Sequence, residues 1–121
     1  MVTRFVVEPT GADSFMGRAH TALAALAARP GYRRGQLTRA LDEPDNWCLL
    51  TEWESVGAYR RALSAYDVKL HATPLLADAR DEPSAYEVLA SAEPGAGVAV
   101  VASDRAAEPF PGAAPLPGWP R

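Results

Sequence analysis

Asn46-Trp47-Cys48-Leu49-Leu50-Thr51-Glu52-Trp53-Glu54-Ser55-Val56-Gly57-Ala58-Tyr59-Arg60-Arg61-Ala62-Leu63 reads as a strand that stops at a helix start. Successive strand residues point to opposite faces, so Trp47, Leu49, Thr51 and Trp53 share one face. Ser55 is a good N-cap, because its hydroxyl can accept from an otherwise unpaired amide in the first helical turn. Tyr59 and Leu63, four apart, then lie on one side of the helix. Two tryptophans on one strand face and a tyrosine on the next helix can line a flat, apolar cavity of the kind that suits an aromatic ligand. The same spacing is also met by ordinary core aromatics.

Working outward, the turn residues divide the rest of the chain. Thr3 to Glu8 is β-rich and ends at Pro9. Asp13 or Ser14 can cap a helix whose Phe15, Ala19, Ala22, Leu23 and Leu26 form one apolar stripe. Pro30-Gly31 ends that helix. Tyr32 to Leu41 reads as a second strand, with Gly35 as a candidate bulge. Asp42 to Asn46 has the turn chemistry of a hairpin loop. The third strand is Trp47–Trp53, and the second helix spans about residues 56 to 65. Residues 66 to 81 are ambiguous, with Thr73-Pro74 suggesting an irregular start to a short helix. A fourth strand is expected over about residues 84 to 91. The order β-α-β-β-α-β is ferredoxin-like, an α+β fold on an antiparallel sheet.

A domain of residues 1–91 is therefore expected, followed by an extension of residues 92–121. Six of the eleven prolines lie between Pro94 and Pro120. Residues 98–102 can form one more strand. After Asp104 the chain is too rich in Pro, Gly and Ala to build a core, and an extended tail is expected.

Composition narrows the function classes. A chain of 121 residues is one domain with a modest core. A net charge of −3 argues against a nucleic-acid partner. No apolar run approaches the ~20 residues of a membrane span. No basic segment followed by a long apolar one opens the chain, which points to the cytoplasm. Cys48 is the single cysteine, so neither an intrachain disulfide nor a cysteine-cluster metal site is available. The outer face of the third strand carries Cys48 and Leu50, and the first strand is apolar on both sides. Strands apolar on both faces need cover on both, which a homodimer with sheets packed face to face provides.

Pro30-Gly31-Tyr32, Gly35-Gln36-Leu37, Trp47, Thr51-Glu52-Trp53-Glu54-Ser55, Ala58-Tyr59-Arg60 and Glu82-Pro83-Ser84-Ala85-Tyr86-Glu87-Val88 together resemble the antibiotic biosynthesis monooxygenase (ABM) domain family. The resemblance covers about residues 2 to 90. Trp-Glu-Ser-x-x-Ala-Tyr-Arg is its most specific element. It implies a dimeric α+β barrel with a cavity between sheet and helices. It implies a cofactor-independent monooxygenase, without metal, flavin or haem, that uses molecular oxygen to turn an aromatic polyphenol or polyketide intermediate of anthrone type into a quinone.

In the oxygenating members a strand Asn and Trp, a helix Tyr and a later Arg form the site. Trp53 and Tyr59 match the Trp and the Tyr. Leu49 stands at the Asn position, and the polar residues near the Arg position are Lys69 and His71. The expected catalytic set is accordingly Trp53, Tyr59 and His71, the imidazole being a candidate general base that titrates near neutral pH. Trp47, Leu49, Thr51, His20, Leu23, Leu63 and Arg39 are the expected substrate-lining residues. Two alternatives use the same fold. A non-oxidative cyclase, accessory or small-molecule-binding protein needs no special acid or base and tolerates Leu49. Haem binding and degradation would need an Asn on the first strand, which is absent, and a proximal His, for which His71 lies late.

Overall fold

The structure is a computed structural model, and residues 1–103 are described. The backbone separates into two units, residues 1–86 and residues from Glu87 onward.

The first unit contains β1 (Val2–Val6), a 3-10 turn (Pro9–Gly11), α1 (Ala12–Ala27), β2 (Tyr32–Arg39), β3 (Asn46–Trp53), α2 (Val56–Ser64), α3 (Tyr66–His71) and α4 (Thr73–Leu76). The sheet is antiparallel in the order β1-β3-β2. Phe5 pairs with Trp47, Thr3 with Leu49 and Leu37 with Leu49, which sets the inward face. Phe5, Trp47 and Leu49 are buried there against Phe15, Ala19, Ala22 and Leu26 of α1. The parity read from β3 is therefore the parity of the fold. Leu23, placed on the same stripe, is half-buried. On the outward face Val6 is 63% exposed, and Cys48 and Leu50 are half-buried.

Ser55 caps α2 as expected: it is extended, and its Oγ accepts from the Ala58 amide at 3.1 Å. α1 instead begins through the 3-10 turn, without a side-chain cap. Asp13 lies in its first turn, where a carboxylate complements the helix dipole. Gly31 joins α1 to β2 at φ +87°, and a Cβ there would stand 2.4 Å from the Ala58 Cβ. Its carbonyl accepts from the Glu54 amide at 2.8 Å, so one glycine fixes both the end of α1 and the approach of α2.

Two local expectations are corrected, and one ambiguous stretch is resolved. The irregularity in β2 falls between Tyr32 and Arg34, and Gly35 pairs regularly with Thr51. Gly35 is instead a close-approach site: a Cβ would meet the Tyr32 hydroxyl at 2.4 Å and Leu23 at 2.8 Å. The ambiguous residues 66–81 begin with two short helices whose Val68, Ala72 and Leu75 are buried. Pro74 sits in the first turn of α4, where its missing N–H costs no helical bond. The fourth strand does not form over residues 84–89. Pro83 lacks a donor, and only residues 80–84 run along the edge of β1, through two separated backbone bonds, Arg80 N–H to Arg4 C=O at 2.9 Å and Val2 N–H to Ser84 C=O at 2.7 Å.

In the second unit β4 (Ala90–Ala92) pairs with β5 (Val98–Val100) as a hairpin. Its turn contains Pro94 and Gly95, with Gly95 at φ +76° and the Ala96 amide donating to the Glu93 carbonyl at 3.0 Å. Proline followed by a positive-φ glycine is the type II turn pattern. The tail expected after Asp104 lies outside the described residues. Among the described residues, no helix is long and apolar enough to cross a membrane.

Candidate functional site

A cavity of about 830 Å³ opens between β1, the helices α2 to α4 and residues 77–84. Tyr59 and Leu63 reach it from α2, Lys69 from α3, and Thr73 and Leu76 from α4. The Ser55 cap sets the start of α2, and the four-residue spacing then brings Tyr59 and Leu63 to the same wall. From β1 come Met1, Val2, Thr3 and Arg4, and from the following loop Arg80, Glu82 and Ser84.

Tyr59 is the chemical centre of this wall. Burial pushes its phenol pKa up, and a hydrogen bond from the Ser84 side chain opposes the shift. The phenol is thus protonated at neutral pH and available as a donor. Its ring lies 5.9 Å from the Trp53 ring, and Trp53 lies 5.3 Å from Tyr32 in an edge-to-face arrangement. The Trp53 indole N–H donates to Thr51 Oγ1 at 2.8 Å. Trp53 therefore backs Tyr59 from behind, while Thr51 satisfies its polar edge.

Charge gathers along the rim. Arg4 makes a two-pronged contact with Glu82 at 2.6 and 2.8 Å, and Arg80 adds a contact to the same carboxylate at 3.5 Å. The bond from Arg4 holds the Glu82 carboxyl below the usual range, and the same bond raises the Arg4 guanidinium. Thr3 is only 4% exposed, and its hydroxyl is buried without a hydrogen-bond partner.

The other expected site residues lie elsewhere. Trp47 is core, 5.3 Å from Phe15 on one side, with the exposed Arg39 guanidinium 5.0 Å over its ring. Leu49 is fully buried in the centre of the sheet. Trp47 and Leu49 do not line this cavity, because β3 is the central strand and α1 covers its inward face. Leu23 packs against Gly35, and His20 is exposed on α1. His71 is exposed and lies beside Arg18, Leu70 and Pro74 at a separate shallow depression of about 210 Å³. Of the expected residues, Tyr59 and Leu63 meet on the cavity wall, with Trp53 and Thr51 behind them.

Sequence reasoning missed Thr3, Thr73 and Ser84. Thr3 shares the inward parity of Phe5, so strand alternation alone could have found it. Ser84 lies in the Glu82–Val88 stretch of the family resemblance, but its place at the cavity depends on how the loop returns to β1.

A three-stranded antiparallel sheet covered by helices on one face, with a partly apolar cavity beside a helix tyrosine, defines an α+β ferredoxin-like fold. The sequence model of the family described as antibiotic biosynthesis monooxygenase matches residues 1–72. SnoaB, a cofactor-independent oxygenase from Streptomyces nogalater, is 30% identical, with 73% of this chain and 92% of that one covered and a TM-score of 0.51. The chain belongs to the antibiotic biosynthesis monooxygenase family.

Two further structures are similar in fold. A mutant of SnoaB is 24% identical over 88% of this chain and 92% of that one, with a TM-score of 0.57. A conserved protein from Methanosarcina mazei Go1 is 20% identical over 69% of this chain and 82% of that one, with a TM-score of 0.58. No protein of curated function matches the chain.

Proposed function

We propose that this protein is a cofactor-independent monooxygenase that oxidises an aromatic polyphenol or polyketide intermediate of anthrone type to the quinone. The observation that carries the reading is a protonated, half-buried Tyr59 on the wall of a cavity large enough for a fused-ring substrate, backed by Trp53. Family membership and the likeness to SnoaB support it.

An anthrone CH₂ is acidic because its anion is delocalised onto the ring oxygen. Loss of one proton gives that anion, which passes one electron to oxygen. The resulting radical and superoxide combine and take up a proton to form a hydroperoxide. Loss of water then leaves the new carbonyl, so substrate and O₂ become quinone and H₂O. Tyr59 donates a hydrogen bond to the oxygen on which negative charge collects. Leu63 and Leu76 hold the rings and keep water from the peroxide.

The active unit in this reading is a homodimer in which Val6, Cys48 and Leu50 meet the same face of a second copy. Sedimentation at micromolar concentration should give about twice the 12.9 kDa chain mass. A particle of single-chain mass would refute that arrangement. The function is tested by oxygen uptake with anthrone, with quinone appearing in equal amount. Binding of the compound without oxygen uptake would replace the oxygenase by a non-oxidative cyclase or binding protein, the role that the apolar Leu49 also permits.

A further inference from the structure

Tyr32 meets Trp53 only because β2 is irregular. In a regular strand Arg33 would pair with Trp53, and Tyr32 would take the outward face. The observed register instead pairs Arg34 with Glu52 and Tyr32 with Trp53, and leaves Arg33 as the extra residue. A bulge of this kind re-aims the side chains beyond it, and such bulges recur beside active sites. Here it turns the Tyr32 ring onto the face that carries Trp53 and Gly35.

Gly35 makes room for that ring. A Cβ at position 35 would stand 2.4 Å from the Tyr32 hydroxyl, so a residue without one lets the ring lie back along the strand. The ring then meets Trp53 at 5.3 Å and 83°, edge to face. Trp53 is tied by its indole N–H to Thr51 and in turn meets Tyr59 at 5.9 Å. Tyr59 lines the cavity, whereas neither Trp53 nor Tyr32 does. Tyr32 therefore reaches the cavity only through two rings in series.

We infer that Tyr32 is a positioning residue: the bulge at Arg33 and the gap at Gly35 seat it against Trp53, and through Trp53 it sets the direction of the Tyr59 hydroxyl. This rests on the oxygenase reading for what Tyr59 does, and adds the residues that hold Tyr59 in place. Ser84 bonds the phenol oxygen. A single bond at the tip leaves a side chain free to swing, and packing against its ring supplies the second point of support.

Oxygen uptake with anthrone is measured for Tyr32→Leu, Tyr32→Phe, Tyr59→Phe and the double variant of Tyr32→Leu with Tyr59→Phe. Tyr32→Leu should lower kcat about fivefold, the size of one edge-to-face ring contact, with KM little changed because Tyr32 does not line the cavity. Tyr32→Phe keeps the ring and should keep the parent kcat. On top of Tyr59→Phe, Tyr32→Leu should lower kcat no further, because the hydroxyl it aims is gone. Losses that multiply in the double variant would mark general loosening and overturn the inference. A parental kcat in Tyr32→Leu, or a loss confined to KM, would overturn it too.

Gly35→Ala perturbs the same train of contacts without removing a ring. Its methyl group meets the Tyr32 hydroxyl, so kcat should fall, and adding Tyr32→Phe should restore part of the loss. No recovery would overturn the role given to Gly35. Where Tyr32→Leu does not fold, Gly35→Ala and its recovery carry the test.

Isotope-labelled tyrosine rings give a magnetic-resonance readout that needs no turnover. The Tyr59 signal, identified by its loss in Tyr59→Phe, should shift in Tyr32→Leu and in Gly35→Ala and hold in Tyr32→Phe. The signals of the exposed Tyr66 and Tyr86 should stay in place throughout. A shifted Tyr59 signal without oxygen uptake by the parent protein removes the oxygenase and keeps the positioning. Oxygen uptake by the parent with an unmoved Tyr59 signal removes the positioning and keeps the oxygenase.

Discussion

Tyr59→Phe is the substitution that separates chemistry from packing at this site. It removes one oxygen and leaves the ring 5.9 Å from Trp53. The hydrogen bond from Ser84 is lost, which costs about 1 kcal/mol for a half-buried neutral pair. For a domain of this size that lowers the melting temperature by about 4–8 °C. The effect on turnover should be larger. A hydrogen bond to a charged oxygen contributes about 1.5–3 kcal/mol, equivalent to about 10- to 150-fold in rate. The ring still closes the wall, so KM should change little and the loss should fall on kcat. The assay is the oxygen electrode with anthrone, read beside quinone absorbance and a thermal melt. A variant that melts lower but turns over at the parent rate would refute the role of the Tyr59 hydroxyl, however well the fold and family stand.

Three other outcomes are expected. The phenols of Tyr59 and Tyr32 are both raised by burial. Their contribution to stability is therefore complete below the ordinary phenol range near ~10 and is lost as pH rises through the raised values, so alkaline unfolding should be shallower in Tyr59→Phe. Leu49→Asn restores the family amide in a fully buried position. It should destabilise by about 3 kcal/mol from lost apolar burial and an unpaired amide, read as a midpoint shift in urea, without raising oxygen uptake. Gly31→Ala combines a positive φ with a Cβ 2.4 Å from Ala58, and should cost at least ~2 kcal/mol in the same titration.

Local chemistry carried much of this architecture. The alternation from Trp47 to Trp53, the Ser55 cap, the α1 stripe and the Pro30-Gly31 stop each act within a few residues. Strand parity and helix periodicity made them legible. Tyr59 was legible for the same reason, because a cap followed by four-residue spacing fixes which side of α2 it occupies. Leu63 follows from Tyr59.

The cavity itself was not legible. Its walls come from β1, from two short helices with Pro74 near their junction, and from a loop that Arg4 and Glu82 tie back to the sheet edge. Those contacts join residues 78 apart in sequence, and no local pattern encodes them. Trp47 and Leu49 looked like cavity residues because parity says which face a side chain takes, not what covers that face. Short-range spacing was enough to place the first three strands, α1, α2, their inward faces and the family, but not α3 or the course of the chain after residue 77. Packing between distant segments settled that α1 seals the β3 side as core and that the open volume lies at the β1 edge. The physical reason is that short-range spacing sets direction, whereas a cavity is the space left where distant segments fail to meet.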